Sequence, residues 1–263
     1  MKIIFCVSFI YTLCIQIVIA QPLRVGICAG AGLCFSSYYD VNIDPQKTLS
    51  TVEPNAGLVL DYIPFKAKNF FLSTGAAFVQ FANTFEIEGV PYFSYKEGFP
   101  KIKQRYNGLK IPIRLGYKWN TKNRIEFNAS LGLGFLLIRR SSFYEYQQVT
   151  VDKVIDGREY AFEYEIAFRS INKTNLFIEP NFELEYKVNH KMNICLSLTN
   201  QQGITPILGS TLKYSIINKT NPFTLVGNSY VTSKGDAIFV TASLKYKIGK
   251  DLSEAETRNS RKK

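Results

Sequence analysis

Outside its first twenty residues the sequence has no long apolar run, it has a single histidine, and its cysteines follow no CxxC spacing. Each absence excludes something. No later stretch approaches the roughly twenty apolar residues of a spanning helix. A lone His190, set in the polar turn Asn189–Lys191, gives no base near the chemistry that a Ser–His or Cys–His hydrolase needs. Without clustered Cys and His there is no zinc pattern, and without GxxxxGK[ST] there is no phosphate-cradling loop. No internal repeat or low-complexity tract interrupts the chain.

The opening segment MKIIFCVSFIYTLCIQIVIAQ reads as a secretory signal peptide cut after Ala20. It would remove Cys6 and Cys14 and leave Cys28, Cys34 and Cys195, an odd number that cannot form a full disulfide framework in an exported protein. Cys28 and Cys34 share one face of one strand, but six residues at about 3.3 Å each put them beyond bridging distance. Buried thiols are the expected state. The formal net charge of +11 would point to nucleic acid in a cytosolic protein. In an exported chain, with its cations spread along strands and loops, it points instead to an anionic surface such as lipopolysaccharide phosphate.

What the chain does have is alternation. From Leu109 to Trp119 every second residue is large and apolar, with Lys110, Pro112, Arg114, Gly116 and Lys118 between them. After Asn120–Asn123 the pattern resumes from Ile125 to Leu137, with Glu126, Asn128, Ser130, Gly132 and Gly134 on the other parity. Such period-two segments are strands with one oily face. Eight can be read: 23–35, about 56–65, 70–82, 109–119, 125–137, 176–188, 192–198 and 238–248. Their connections alternate in length. The long ones span roughly 36–55, 83–107, 139–174 and 200–235, and the short ones 66–69, 120–123 and 189–191.

This asymmetry predicts an all-β fold: an eight-stranded antiparallel up-and-down transmembrane β-barrel, with tight periplasmic turns and long extracellular loops. The barrel would occupy residues 21–249, followed by a polar periplasmic tail at 250–263, with both termini periplasmic. Alternation alone does not say which face meets lipid. Aromatics gather near the short turns (Tyr62, Phe70, Tyr117, Trp119, Phe127, Tyr186, Tyr246), as an interfacial girdle would. The other parity carries charges of both signs, including Arg124, Lys245 and Lys247, and a cation facing mid-membrane lipid costs roughly 2–4 kcal/mol. The charged face therefore turns inward, where Arg24, Asp61, Lys110, Arg114, Lys118, Glu126, Glu179, Glu183 and Glu185 are expected to pair and close a narrow lumen. Paired carboxylates there are structural rather than catalytic.

Within the third long connection, Ser142–Val151 and Arg158–Phe168 read as two further strands around Asp156-Gly157, a dipeptide favoured in tight hairpins. This hairpin carries Phe143, Tyr144, Tyr146, Tyr160, Phe162 and Tyr164, and is the candidate partner-binding loop. Such aromatics either offer a contact surface or pair across the hairpin to stiffen it.

The run Tyr106-Asn-Gly-Leu-Lys-Ile-Pro-Ile-Arg-Leu-Gly-Tyr-Lys118 resembles the Y-x-x-I-P-x-x-x-x-Y strand of the PorT-like outer-membrane β-barrels of Bacteroidetes. Phe71–Phe78 is similar to their preceding glycine-containing strand, and Leu244–Ile248 to their closing strand, although this one ends on Ile248 rather than an aromatic. The resemblance implies an eight-stranded outer-membrane barrel, some relatives of which serve type IX secretion. The expectation is thus a non-enzymatic, monomeric barrel without a cofactor. Its partners would be outer-membrane lipid, lipopolysaccharide and an envelope or secretion-system protein, with no nucleic acid. Alternatives are a PorT-like export accessory and a small porin-like channel.

Overall fold

A computed structural model describes residues 23–40, 46–63, 69–87, 102–120, 124–138, 146–155, 157–220 and 223–248. The described residues contain twelve strands: β1 (Leu23–Asp40), β2 (Gln46–Leu49), β3 (Thr51–Tyr62), β4 (Phe70–Ile87), β5 (Ile102–Asn120), β6 (Ile125–Ile138), β7 (Tyr146–Ile155), β8 (Arg158–Ser170), β9 (Thr174–Lys187), β10 (Met192–Gly203), β11 (Leu208–Asn218) and β12 (Phe223–Ile248). No helix among these residues is long and apolar enough to cross a membrane. The signal-peptide and tail segments lie outside the described residues.

Eight strands follow one another around a closed wall, β1-β3-β4-β5-β6-β9-β10-β12, and β12 pairs back onto β1 from Leu23↔Ile248 to Phe35↔Asp236. Every pairing in this wall is antiparallel. Closure leaves no free edge, the condition for a sheet in lipid. The oily parity points out: Ile27, Leu58, Phe78, Leu115, Leu131, Leu133, Phe182 and Leu196 are all exposed, whereas their neighbours Gly132, Asn181 and Cys195 are buried. From Leu109 to Trp119 this band runs eleven residues, ten steps of about 3.3 Å or about 33 Å along a strand. A tilt of about 40° reduces that to roughly 25 Å, the height of a membrane-barrel apolar band. At its short-turn end Phe70 meets Tyr117 edge-on at 5.2 Å and Tyr117 meets Trp119 at 5.1 Å. Asn69 donates a hydrogen bond to the Tyr117 hydroxyl at 3.0 Å.

Two of the four long connections hold strands of a sheet beyond the wall, one as expected and one not. The third holds the foreseen hairpin β7–β8, with Ile155↔Arg158 as the last pair and Gly157 in the left-handed region at φ 73°. The fourth, read as a loop over 200–235, is mostly strand. It contains β11 and the outer half of β12, which pairs with β11 from Phe223 to Ser233. The reason is local. The period-two pattern breaks at Ser233-Lys234-Gly235, where the register against β1 jumps from Phe35↔Asp236 to Ser37↔Thr232. Gly235, at φ 76°, permits a backbone that an L side chain would resist. The bulge re-aims β12 without ending it. β11 then pairs with β8, and β8 with β7, so a sheet β12-β11-β8-β7 rises from the barrel rim.

Candidate functional site

The lumen is layered. In the half next to the short turns the five cations Arg24, Lys110, Arg114, Lys118 and Lys245 meet the five carboxylates Asp61, Glu126, Glu179, Glu183 and Glu185. All nine residues expected to pair are here; the contacts of Arg24, Lys110, Arg114 and Lys245 skip at least one strand, whereas Glu126 is held from the neighbouring strands by Lys118 and Lys187. Arg24 lies opposite Asp61 in register, yet its Nη1 donates across the lumen to Glu185 Oε1 at 2.6 Å. Lys245 Nζ donates to Asp61 Oδ2 at 2.8 Å and to both oxygens of Glu183 at 2.8 and 2.9 Å. Glu179 receives Lys110 at 2.5 Å and Arg114 at 2.6 Å. Lys118 reaches Glu185 at 3.1 Å and Glu126 at 3.9 Å, and Lys187 holds Glu126 from the rim at 2.5 Å.

Asn128 and Asn193 complete the shell, with Asn193 Nδ2 on Glu185 Oε1 at 2.6 Å and Asn128 Nδ2 on Glu183 and Glu185 at 3.0 and 3.2 Å. Hydrogen bonds beyond the ion pairs are what make buried charge tolerable. Lys245 belongs to the centre of this network. Parity puts it inside, but only the fold shows that it bridges β3 and β9 through strands that separate them.

Above the ions sits an apolar plug that alternation does not reveal. Val79, Phe81, Tyr106, Leu136, Ile138, Phe177, Ala237 and Phe239 converge from the wall, and Ile207, just before β11, and Leu208, its first residue, close the cluster. Phe81 stacks on Tyr106 at 5.3 Å and meets Phe239 edge-on at 6.2 Å. Gly32 and Gly134 make room, since a Cβ at either would strike the ring of Phe239 or Phe177. Lys110 joins the two layers: its ammonium pairs with Glu179 while lying 4.7 Å from the Phe239 ring centre and 5.2 Å from that of Phe177. A cavity of about 70 Å³ remains, its mixed lining including Val59, Val79 and Phe239 as well as Asn55, Lys110 and Lys245, room for a few waters.

The capping segment is stitched down. Asn175 accepts from the Thr205 amide at 2.9 Å and hydroxyl at 2.7 Å and donates to Lys234 O at 2.7 Å. Gln201 donates to Gly235 O at 2.6 Å, and the Ile207 amide to Ser233 O at 2.8 Å. Tyr106 shares a 3.1 Å hydrogen bond with Ser233, so the plug is tied to the bulge.

In the outer sheet the two hairpins are joined tip to tip. The Lys219 amide donates to Glu159 O at 2.7 Å, the Glu159 amide to Thr220 Oγ1 at 2.9 Å, and Lys219 Nζ to Asp152 Oδ1 at 2.9 Å. That carboxylate holds the Lys219 ammonium above the ordinary lysine value. The aromatic surface expected of the β7–β8 hairpin is corrected in part. Tyr160 and Phe162 are buried, and Phe162 packs at 6.0 Å against Tyr214, because β11 covers β8 on its other edge. Tyr146 and Tyr164 lie on β7 and β8, while Phe143 and Tyr144 fall outside the described residues. What the hairpin exposes is Thr150, Asp152, Val154, Arg158 and Glu159, and β7 is the terminal strand of the sheet among the described residues. His190 sits exposed in a short turn at the opposite end.

A closed antiparallel wall, apolar outside and ionic within, is the architecture of bacterial outer-membrane proteins. The family profile described as outer membrane protein beta-barrel domain matches residues 19–209. The chain belongs to this family. It is therefore an integral outer-membrane β-barrel protein. Among solved structures it is similar to the outer membrane protein OprG from Pseudomonas aeruginosa, at 14% identity and a TM-score of 0.52, over 88% of this chain and 97% of that one. It is also similar, at 7% identity and a TM-score of 0.37, to the outer membrane protease OmpT from Escherichia coli, over 86% of this chain and 97% of that one. The likeness to OprG shows the barrel fold alone. No curated protein matches the sequence.

Proposed function

We propose that the protein is a non-enzymatic barrel with a closed lumen whose outer sheet binds a partner in the envelope or at the cell surface. The observation that carries this reading is the double seal. Among the described residues ten mutually paired charges and, above them, an apolar plug occupy the lumen, so its carboxylates and cations are engaged with one another. Strand residues are committed to lipid, lumen or ladder, so recognition belongs to what projects beyond the wall. There β7 presents a terminal edge, and an extended segment of a partner can add to such an edge through main-chain hydrogen bonds.

On this reading the short turns and both termini are periplasmic and the β12-β11-β8-β7 sheet is outside. Lipopolysaccharide phosphate would meet the exposed cations of that sheet, among them Arg158 and Lys213. The test is to shorten the hairpin between Ser141 and Arg169 and express the variant in a deletion strain. The variant is expected to insert as a heat-modifiable barrel that has lost its biological role. Full complementation would move the binding surface elsewhere, and a defect confined to secreted proteins would identify the partner as export machinery.

A further inference from the structure

Among the described residues the lumen keeps a cavity of about 70 Å³, bordered by both Lys245 of the ion network and Phe239 of the plug. Its size suits a few waters, or one small ion with a water beside it. The lining is unbalanced in charge, because Lys110, Arg114 and Lys245 border the space against a single carboxylate, Glu183.

It is unbalanced in hydrogen bonding too. Both Glu183 oxygens accept from Lys245, at 2.8 and 2.9 Å, and Asn128 adds a bond at 3.0 Å. The Asn181 amide oxygen takes the Thr199 hydroxyl at 2.7 Å, and the Asn55 amide oxygen takes that of Thr241 at 3.5 Å. The amide and carboxylate oxygens facing the cavity are therefore engaged. Two sets of donors are not. Asn55 is 7% exposed, and its Nδ2 is buried with no hydrogen-bond partner among the described residues. Arg114 commits Nε to Glu179 at 2.6 Å, while its two terminal nitrogens make no hydrogen bond among the described residues. Glu179 receives Lys110 as well, so one carboxylate stands against two cations at this end of the cavity.

Unused donors in a positive field select an acceptor that carries negative charge. Lys110 and Lys245 are already paired and supply the field, whereas Arg114 and Asn55 supply the free N–H groups. The apolar remainder of the lining, Val59, Val79 and Phe239, excludes a multiply charged ion, whose desolvation it would not offset.

We infer that the cavity binds one small monovalent anion of the halide class, held by the Arg114 guanidinium and the Asn55 amide and admitted while the barrel folds. The inference rests on the sealed lumen of the reading above and is independent of the outer sheet.

The full chain is refolded from urea into detergent micelles in sodium bromide or, at equal ionic strength, in sodium gluconate, whose anion is too large for the cavity. Bound bromide is counted by elemental mass spectrometry, first at dialysis equilibrium and again after transfer into gluconate. One bromide per chain is expected at both stages. Asn55→Asp, which sets a carboxylate where the free donor stands, should lower that occupancy at least about tenfold. Asn55→Leu, which removes the donor without adding charge, replaces it with the same expectation if the aspartate variant fails to insert. Asn193→Ala weakens the network at Glu185 without bordering the cavity, and should keep its bromide. No bromide above the gluconate control, undiminished binding in the Asn55 variants, or an equal loss in Asn193→Ala would each overturn the assignment. Bromide bound at equilibrium yet lost on transfer would uphold the site and show that the seal is what fails.

Discussion

Replacing Lys245 with Met isolates the energetic claim that the lumen is held shut by mutual pairing. Methionine approximates the length and volume of the lysine stem, so the change removes charge with little cavity. Lys245 Nζ makes contacts of 2.8, 2.8 and 2.9 Å to two carboxylates, and its side chain is 3% exposed. Its loss strands Asp61 and Glu183 without their shared cation inside the lumen. Breaking a buried pair from one side costs about 3–5 kcal/mol. Urea unfolding in lipid, followed by the fluorescence of Trp119, the single tryptophan, should show a loss in that range. Adding Asp61→Asn and Glu183→Gln to the same background removes the stranded charges, and at least half the loss should return, a non-additivity diagnostic of direct coupling. A loss below about 1 kcal/mol for the single variant, or a triple variant less stable than the single one, would refute the reasoning.

Arg114→Leu should be milder, about 1–3 kcal/mol by the same assay, because Lys110 stays on Glu179 when the guanidinium is gone. A loss equal to that of Lys245→Met would mean that the two carboxylate sites are not independent. Orientation is open to surface labelling. An epitope inserted at Asp156 should be reached on intact cells and one at Lys122 should not, since long and short connections segregate to opposite sides. The reverse pattern would invert the topology.

The eight wall strands were legible because lipid on one side and a narrow lumen on the other impose period-two alternation for ten residues at a time. The nine charged lumen residues were legible for the same reason: nothing else tolerates Lys110, Arg114 and Glu179 on the inner parity of otherwise oily strands. Their partners were not. Arg24 finds Glu185 rather than the register-opposed Asp61, because strand tilt and stagger set who meets across a lumen, and sequence spacing does not encode stagger. The plug is not legible in the pattern because at Val79, Phe81, Leu136 and Phe177 the inner parity is apolar like the outer one, so alternation fades and reads as a strand end. The outer sheet was half visible. Asp156-Gly157 announces a hairpin, whereas the bulge at Gly235 breaks the period that would have joined Phe223–Ser233 to the closing strand. The burial of Tyr160 and Phe162 follows from β11, an element no local pattern marked.

The most direct test of the closed lumen is a planar-bilayer recording of the full, unmutated chain. The ion network beneath the Phe81–Tyr106–Phe239 plug predicts a quiet baseline with no steady conductance, because any ion path must cross both layers. A large, steady, open-channel conductance would contradict it.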